Sequence, residues 1–525
     1  MKGMITAPQP LAVEAGAQIL TEGGNAIDAA IAAAFVQMVV DPKACGVGGF
    51  GMLNIHLSNG GKEVMLDFHG KAGARVEPGM WEDIVIRENP TGYGYTLEGQ
   101  VNERGYKAIT TPGTVAGLYK AHTEYGTMPW SDLLQHGIRV ATEGYAVSRA
   151  MAKTREEVPI GSTTSPWSKV RESAYDDGGV FVANPDMART FSILAEGGAE
   201  VFYRGDLAPR IAEDIERGGG FVTLKDLNGY EVTVNEPICS DYRGYTVASN
   251  HPPGGGVTIL QMLKILEGYD LSSMRHLSPE YIFTVSLAMK AAWADRANLV
   301  GDPAFVDVPI KDLLSEFRAL EWRHRIDARE KFSIPRWQPQ EPPDTTHLAV
   351  ADGQGNVVGL THSLGSSSNV VTQGLGFAYN NCMNCFNPVP GQVNSIEPGK
   401  SRGTGMAPTL IVKDGKPYFS VGAPGGTRIV TGILHAILNV VDHGMTATEA
   451  IAAPRFDCQS DVISAHSRIP PSVCEAVRSM GHDIYRKIAP YGGIGSVHGI
   501  RFDLETGSMD GGADPDRGGM ALAVW

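Results

Sequence analysis

The chain has 525 residues, length enough for about three to four average domains, yet no Gly/Ser linker or low-complexity tract divides it. Its 58 acidic and 44 basic residues leave a formal charge of −14, which argues against nucleic acid or an anionic membrane as partner. Six cysteines are too few for a disulfide scaffold and fit a reducing compartment.

Met1-Lys2-Gly3-Met4 lacks the apolar core and cleavage site of a signal peptide, so the expected address is the cytoplasm. Gly23-Gly24-Asn25 then separates two helices: the glycines allow a left-handed stop to the first, and Asn25 can cap the second. Ala26 to Val40 reads as a helix apolar on nearly every side and therefore buried between layers. It is too short, and with Asp28 and Gln37 too polar, to span a bilayer. Cys45-Gly46-Val47-Gly48-Gly49-Phe50-Gly51 leads into a strand at Met52–Leu57. A phosphate loop would need a helix after it and a Lys-Ser/Thr pair, so a close-packed turn is the better reading.

Two thirds of the way along, a Pro-rich stretch (Ile334-Pro335, Pro339, Pro342, Pro343) gives way to Asp344-Thr345-Thr346-His347. Thr345 to Ala351 reads as a strand, residues 352–356 as a turn and Val357 to Ser363 as the returning strand. With the turn centred on Gln354, Thr345 falls opposite Ser363, where paired Cβ atoms stand about 4.5–5.5 Å apart. That is a place for a nucleophile and its helper, although Thr-Thr is also ordinary sheet composition, and the pattern does not separate Thr345 from Thr346.

Cys382-Met383-Asn384-Cys385 has C-x-x-C spacing, but neither the strand-to-helix setting of a redox motif nor two further zinc ligands is evident, so both cysteines read as pocket lining. Gly399-Lys400-Ser401-Arg402-Gly403 matches G-x-S-x-G without the required strand before it and helix after it. No H-E-x-x-H or nucleotide fingerprint occurs, and no metal or cofactor is expected. Alternation in Leu348–Val350, Val357–Leu360, Thr409–Val412 and Tyr418–Val421 supports a sheet core. Strand, then Pro424-Gly425-Gly426, then an apolar helix from Ile429 to Val441 brings free backbone N–H groups to one point: an ordinary tight turn or an anion site.

Asp344-Thr345-Thr346-His347, Asn380-Asn381, Met406-Ala407-Pro408-Thr409 and Gly422-Ala423-Pro424-Gly425-Gly426-Thr427-Arg428 together resemble the small subunit of the gamma-glutamyltransferase family. Thr111–Leu118, Pro252–Gly256, Ala294-Asp295-Arg296 and Ala513–Gly519 extend the resemblance over nearly the whole chain. It implies a four-layer αββα sandwich of the N-terminal-nucleophile hydrolase type, an α/β fold shared by a large segment, 1–344, and a small segment, 345–525. It further implies self-cleavage between Asp344 and Thr345, Thr345 as the freed nucleophile, Ser363 as its hydroxyl helper and the Gly425 and Gly426 amides as oxyanion donors. The partners implied are a small-molecule amide substrate and the two segments of one precursor, with a higher oligomer possible.

The chain departs from the family pattern where a γ-glutamyl head group is held. Phe68-His69-Gly70 stands for Phe-Arg-Glu, Gly365 for an asparagine, Cys382 and Cys385 for a glutamine and an aspartate, and Thr404-Gly405 for Ser-Ser. An α-amino acid zwitterion needs a cation and an anion facing it, since unpaired buried charge is costly. The expectation is hydrolysis of an amide of a small acid, as in the cytoplasmic amidohydrolase branch that includes oxamate amidohydrolase. His69, Arg402 or Thr404 would meet the carboxylate. The short connection from Phe386 to Gly405 suggests an open site that favours water over a second amine. Two alternatives remain: a γ-glutamyl hydrolase or transpeptidase acting on glutathione, and an unprocessed relative kept as a binding protein.

Overall fold

The computed structural model describes residues 1–88, 94–148, 160–161, 169–172, 179–330, 332–334, 344–488 and 490–525. Pro335, Pro339, Pro342 and Pro343 lie outside the described residues.

Two stacked sheets form the centre. The first runs in the order Met520–Val524, Gly3–Ala7, Thr345–Asp352, Val357–Ser363, Phe50–Leu57, Lys62–Phe68, Thr233–Asn235. The second runs Ile238–Tyr242, Tyr245–Ser249, Thr409–Lys413, Lys416–Gly422, His498–Phe502, Met509–Ala513. Every pairing within these two sheets is antiparallel. Each sheet takes strands from both sides of the Asp344–Thr345 bond, so neither side could close its share of the core alone.

Three apolar layers arise from the period-2 alternation of the strands. Leu348, Val350, Val358 and Leu360 point outward from the first sheet against Ile31, Phe35 and the helix Pro10–Thr21. Ala349, Ala351 and Val357 point the other way and meet Leu410 and Ile500 of the second sheet. Ile411, Phe419 and Val421 face outward again, against the helices Gly256–Leu266 and Arg428–Val441. The result is the four-layer αββα sandwich that the resemblance implies.

Individual elements match their sequence signals closely. The helix Ala26–Val40 has residues 26–39 buried, and Asn25 caps it reciprocally with Asp28. The glycine-rich run is indeed a close-packed turn: a Cβ on Gly49 would stand 2.5 Å from the Ser363 carbonyl oxygen. The strand after it begins earlier than its composition suggests, at Phe50 rather than Met52, because Gly51 and Phe50 pair with His362 and Ser363. Among the described residues no helix is long and apolar enough to cross a membrane, and all six cysteines are free thiols.

Candidate active site

The hairpin has the register read from its turn: Thr345 pairs with Ser363, Thr346 with His362 and His347 with Thr361. Because side chains alternate across a strand, Thr345 and His347 share the face between the sheets, while Thr346 lies on the helix-covered face with Leu348. There the Thr346 hydroxyl is held by Gln37 Nε2 (3.0 Å) and Gln9 Oε1 (3.2 Å), both on or beside the first two helices. The two threonines that pattern alone left equivalent therefore differ in surroundings.

Hydrogen-bond counting assigns the protons around Ser363. Its hydroxyl lies 2.9 Å from the carbonyl oxygen of Asp344, 2.8 Å from the amide nitrogen of Gly365 and 3.0 Å from Thr345 Oγ. A carbonyl can only accept and an amide N–H can only donate, so the single Ser363 proton goes to Asp344. Thr345 must then donate its own proton to Ser363. The arrangement polarises the carbonyl of the Asp344–Thr345 bond and aligns the adjacent hydroxyl, the two requirements for attack on that bond. Arg517 Nη1 donates to the Thr345 carbonyl at 3.1 Å and fixes the far side of the residue.

Thr345 is 6 % exposed and Ser363 1 %, so the site of the uncleaved chain is closed, contrary to the open site expected from the short connection. The Asp344 carboxyl shares this enclosure. Burial pushes it up to about 6, with the Ser366 hydrogen bond and Arg517 pulling the other way.

Gly365, read as a lost side-chain contact, contributes its backbone instead. It sits at φ +74°, and a Cβ there would come within 2.3 Å of Asn381 Oδ1. Asn381 in turn accepts the Ser366 N–H at 2.8 Å and donates to the Glu103 carbonyl at 3.1 Å, so a small residue in a left-handed conformation is needed to aim the Gly365 amide at Ser363. Asn380 clips Gly48, Thr110 and Cys382 together through its amide.

Across the layer, Gly422 abuts the ring of His347, and the strand ends three residues before Gly425. Gly425 and Gly426 take φ of +134° and +59°. Their carbonyls accept the Arg428 and Ile429 amides, while among the described residues neither glycine N–H meets a protein acceptor. Two amides left without acceptors suit a developing negative charge. Thr404-Gly405 packs on this turn, since a Cβ on Gly405 would meet the Gly426 carbonyl at 2.1 Å.

The remaining predicted pocket residues gather beside Phe50, the strand partner of Ser363. His69 stacks on the Phe50 ring with centroids 6.0 Å apart, and its Nδ1 is 2.7 Å from Asp67 Oδ1. Arg402 lies over the same ring, 4.6 Å from its centroid, with Nη1 against Cys385 Sγ. Burial pushes the Cys382 thiol up to about 11 although Arg402 pulls it down. Cys382 and Cys385 sit on one short 3₁₀ turn, and among the described residues no group of three or more His, Cys, Asp or Glu side chains is arranged to hold a metal. Ser401 of the G-x-S-x-G match is tied by its amide to Asp302 (2.7 Å), with no helix directly after it. Arg517, 172 positions from Thr345, and the Phe50 ring were not singled out by sequence reasoning; the first lies within a motif matched only as a family signature.

The model of the family described as Gamma-glutamyltranspeptidase matches residues 12–524. The chain is 34 % identical to the acylase ACY 1 proenzyme of Pseudomonas sp. (strain V22), over 94 % of this chain and 89 % of that protein. It is 32 % identical to the glutathione hydrolase proenzyme of Bacillus subtilis (strain 168), over 99 % and 91 % respectively. Among solved structures, the cephalosporin acylase from Bacillus halodurans superimposes with a TM-score of 0.85 at 28 % identity, covering 100 % of this chain and 96 % of that one.

Proposed function

The chain belongs to the gamma-glutamyltranspeptidase family, and from that premise we propose that it is a self-cleaving amidohydrolase whose N-terminal nucleophile is Thr345. The observation that carries this reading is the pair of hydrogen bonds from Thr345 Oγ through Ser363 Oγ to the Asp344 carbonyl. Thr345 Oγ attacks that carbonyl, the nitrogen leaves in an N-to-O acyl shift, and water hydrolyses the ester. Residues 1–344 and 345–525 then become separate chains that stay joined through both sheets.

Cleavage changes two things at once. It creates an α-amine on Thr345, with an ordinary pKa of about 7.7–8.0, so that a neutral fraction near pH 7 accepts the hydroxyl proton. It also removes the Asp344 carbonyl from Ser363, whose proton becomes available to orient the nucleophile. The acyl-enzyme then forms on Thr345 with its oxyanion at the Gly425 and Gly426 amides.

For the acyl group, the lost head-group contacts at His69, Gly365, Cys382, Cys385 and Thr404-Gly405 favour the amide of a small acid, of the oxamate kind, over a γ-glutamyl donor. Water is the acceptor in this reading, and the six free thiols favour a cytoplasmic address. A second reading, hydrolysis of glutathione, draws on the names of several relatives at 30–32 % identity.

Denaturing electrophoresis and N-terminal sequencing test the first step, with two fragments and a new terminus at Thr345 expected. A chain that stays whole favours the unprocessed binding protein. Assays of γ-glutamyl anilide beside small acid amides, with and without glycylglycine, test the second. Hydrolysis of the acid amides should dominate, and strong transfer from the glutamyl donor supports the glutathione reading.

A further inference from the structure

Resting on the reading of Thr345 as the nucleophile, we propose that His347 is a positioning residue: its ring, held between the two sheets, sets the distance from Thr345 to the Gly425-Gly426 turn, which turnover requires and self-cleavage does not.

The two sheets keep step at this end of the layer. On the inner face of the hairpin the successive rungs are Ala349 with Gly359, His347 with Thr361 and Thr345 with Ser363. A Cβ on Gly359 would stand 3.6 Å from Ser420 Oγ, and a Cβ on Gly422 would stand 2.2 Å from His347 Cε1. Ser420 thus lies against the first rung and Gly422 against the second. A further step of two residues, about 7 Å along both sheets, brings the turn at Pro424-Gly425 level with Thr345 and Ser363.

At the second rung one imidazole lies between the nucleophile strand and the backbone of the oxyanion strand. The same Cβ on Gly422 would stand 2.4 Å from Nδ1 and 2.6 Å from Nε2, so the ring covers that backbone face on. Gly359 leaves room beside it, since a Cβ there would stand 3.7 Å from Cε1. The Thr361 hydroxyl, 2.8 Å from Nδ1, fixes the rotation of the ring, which is fully buried. Farther along the layer Ala349, Ala351 and Val357 meet Leu410 and Ile500, side chains from both sheets. In a close-packed interior the thickness of the ring therefore becomes the gap between the strands.

The ring takes no direct part in proton transfer. Nδ1 is engaged by Thr361, and Nε2 has no protein partner among the described residues. Burial, with His498 and His362 adding to it, lowers its pKa well below the ordinary value and keeps it neutral. The turn is tied from its other side, where the Ser496 amide donates to the Pro424 carbonyl at 3.0 Å. Self-cleavage draws on Thr345, Ser363 and the Asp344 carbonyl, all at the hairpin's own end, whereas the acyl-enzyme places its oxyanion on the other sheet. A change of spacing strikes the second and spares the first.

The test sets turnover against cleavage. In His347→Ala the fragment starting at Thr345 should appear, and KM should stay, within about threefold of the unaltered protein, while kcat falls about 100-fold with the better donor of oxamate and γ-glutamyl p-nitroanilide. Acylation of Thr345 by p-nitrophenyl acetate, read as the p-nitrophenolate burst and as an acetyl ester on the peptide beginning at Thr345, should slow by the same factor whatever the natural donor. Gly422→Ala, which forces the ring aside, should also slow it. In His347→Ala/Gly422→Ala the added methyl enters the space vacated by the ring, and acylation should recover about tenfold over His347→Ala. Loss of cleavage and turnover in step, no loss of turnover, or a double variant no faster than His347→Ala each overturns the proposal. Should His347→Ala fail to fold, His347→Asn, with a thinner side chain that still reaches for Thr361, is judged by the same ratio of turnover to cleavage. Failure of the underlying reading is seen separately, as an unaltered chain that yields no fragment starting at Thr345.

Discussion

Two adjacent threonines on one strand meet different chemistry because the pleat turns them to opposite faces. Thr345 opens between the sheets onto the Ser363 hydroxyl, which itself meets the Asp344 carbonyl and the Gly365 amide. Thr346 opens under the helices onto two glutamine side chains, in a chain of bonds that runs from Asp41 through Gln9 and Gln37 to His362. The first set contains the Asp344 carbonyl, the electrophile of the proposed cleavage, and that cleavage would rearrange it; the second is closed upon itself and contains none. In the proposed mechanism reactivity belongs to the face of the strand, and the residue type is common to both.

Exchanging each threonine in turn is the most direct attack on that contrast. Thr345→Ala should abolish self-cleavage and lower amidase activity by about 10⁴-fold or more, because nucleophile and base are lost together. Electrophoresis would show a single full-length band. If Thr345→Ala still yields two fragments, the contrast between the faces is wrong.

Ser363 sharpens the same contrast by one bond. Ser363→Ala removes the donor to Asp344 and the acceptor for Thr345, and should slow cleavage and turnover by about 10²-fold. Ser363→Thr keeps both functions and should remain within about threefold of the unaltered protein, as read from the rate of fragment appearance and from kcat.

How far the site was legible in the sequence depends on which forces are local. The turn length and the period of two fixed Thr345 opposite Ser363 before any coordinates, and Asn25 announced the helix Ala26–Val40 through its cap. The approach of Arg517 to Thr345 and of Arg402 to Phe50 was not legible, because both arise where loops distant in sequence fold over the end of a sheet. Gly365 was misread for a related reason. Its identity suggests a deleted side chain, whereas its contribution is an amide whose aim depends on Asn381, a residue on another loop.

A smaller effect distinguishes the faces by pH. The Asp344 carboxyl is raised from 3.8 to about 6 in the folded, uncleaved chain, so between those values the unfolded chain has released a proton that the folded chain still holds. Folding stability from this group is therefore undiminished at low pH and is lost as pH rises toward 6, about 2–3 kcal/mol in all. His347, His362 and His498 work in the opposite sense, since burial lowers them and acid then favours the unfolded chain. Comparing Thr345→Ala with Thr345→Ala/Asp344→Asn cancels the histidines. Denaturant unfolding should find the double variant more stable by about 2–3 kcal/mol at pH 7.5, with the gap roughly halved at pH 5. A gap independent of pH would place the Asp344 carboxyl in water.

The mildest change probes the helix-covered face. In Thr346→Val a methyl group replaces the hydroxyl at nearly constant volume, and the bonds from Gln37 Nε2 and to Gln9 Oε1 disappear. Those two amide atoms already bond each other at 2.7 Å, so neither is left without a partner. The cost should then be that of two net hydrogen bonds without an orphaned group, about 1–2 kcal/mol by denaturant unfolding of the processed protein. Self-cleavage and kcat should stay within about twofold, because Ser363, Gly365 and the Asp344 carbonyl lie on the other side of the strand. A loss of turnover comparable to that of Ser363→Ala would mean that the glutamine network reaches through the strand to set the position of Thr345, and the two faces would have to be treated as one device.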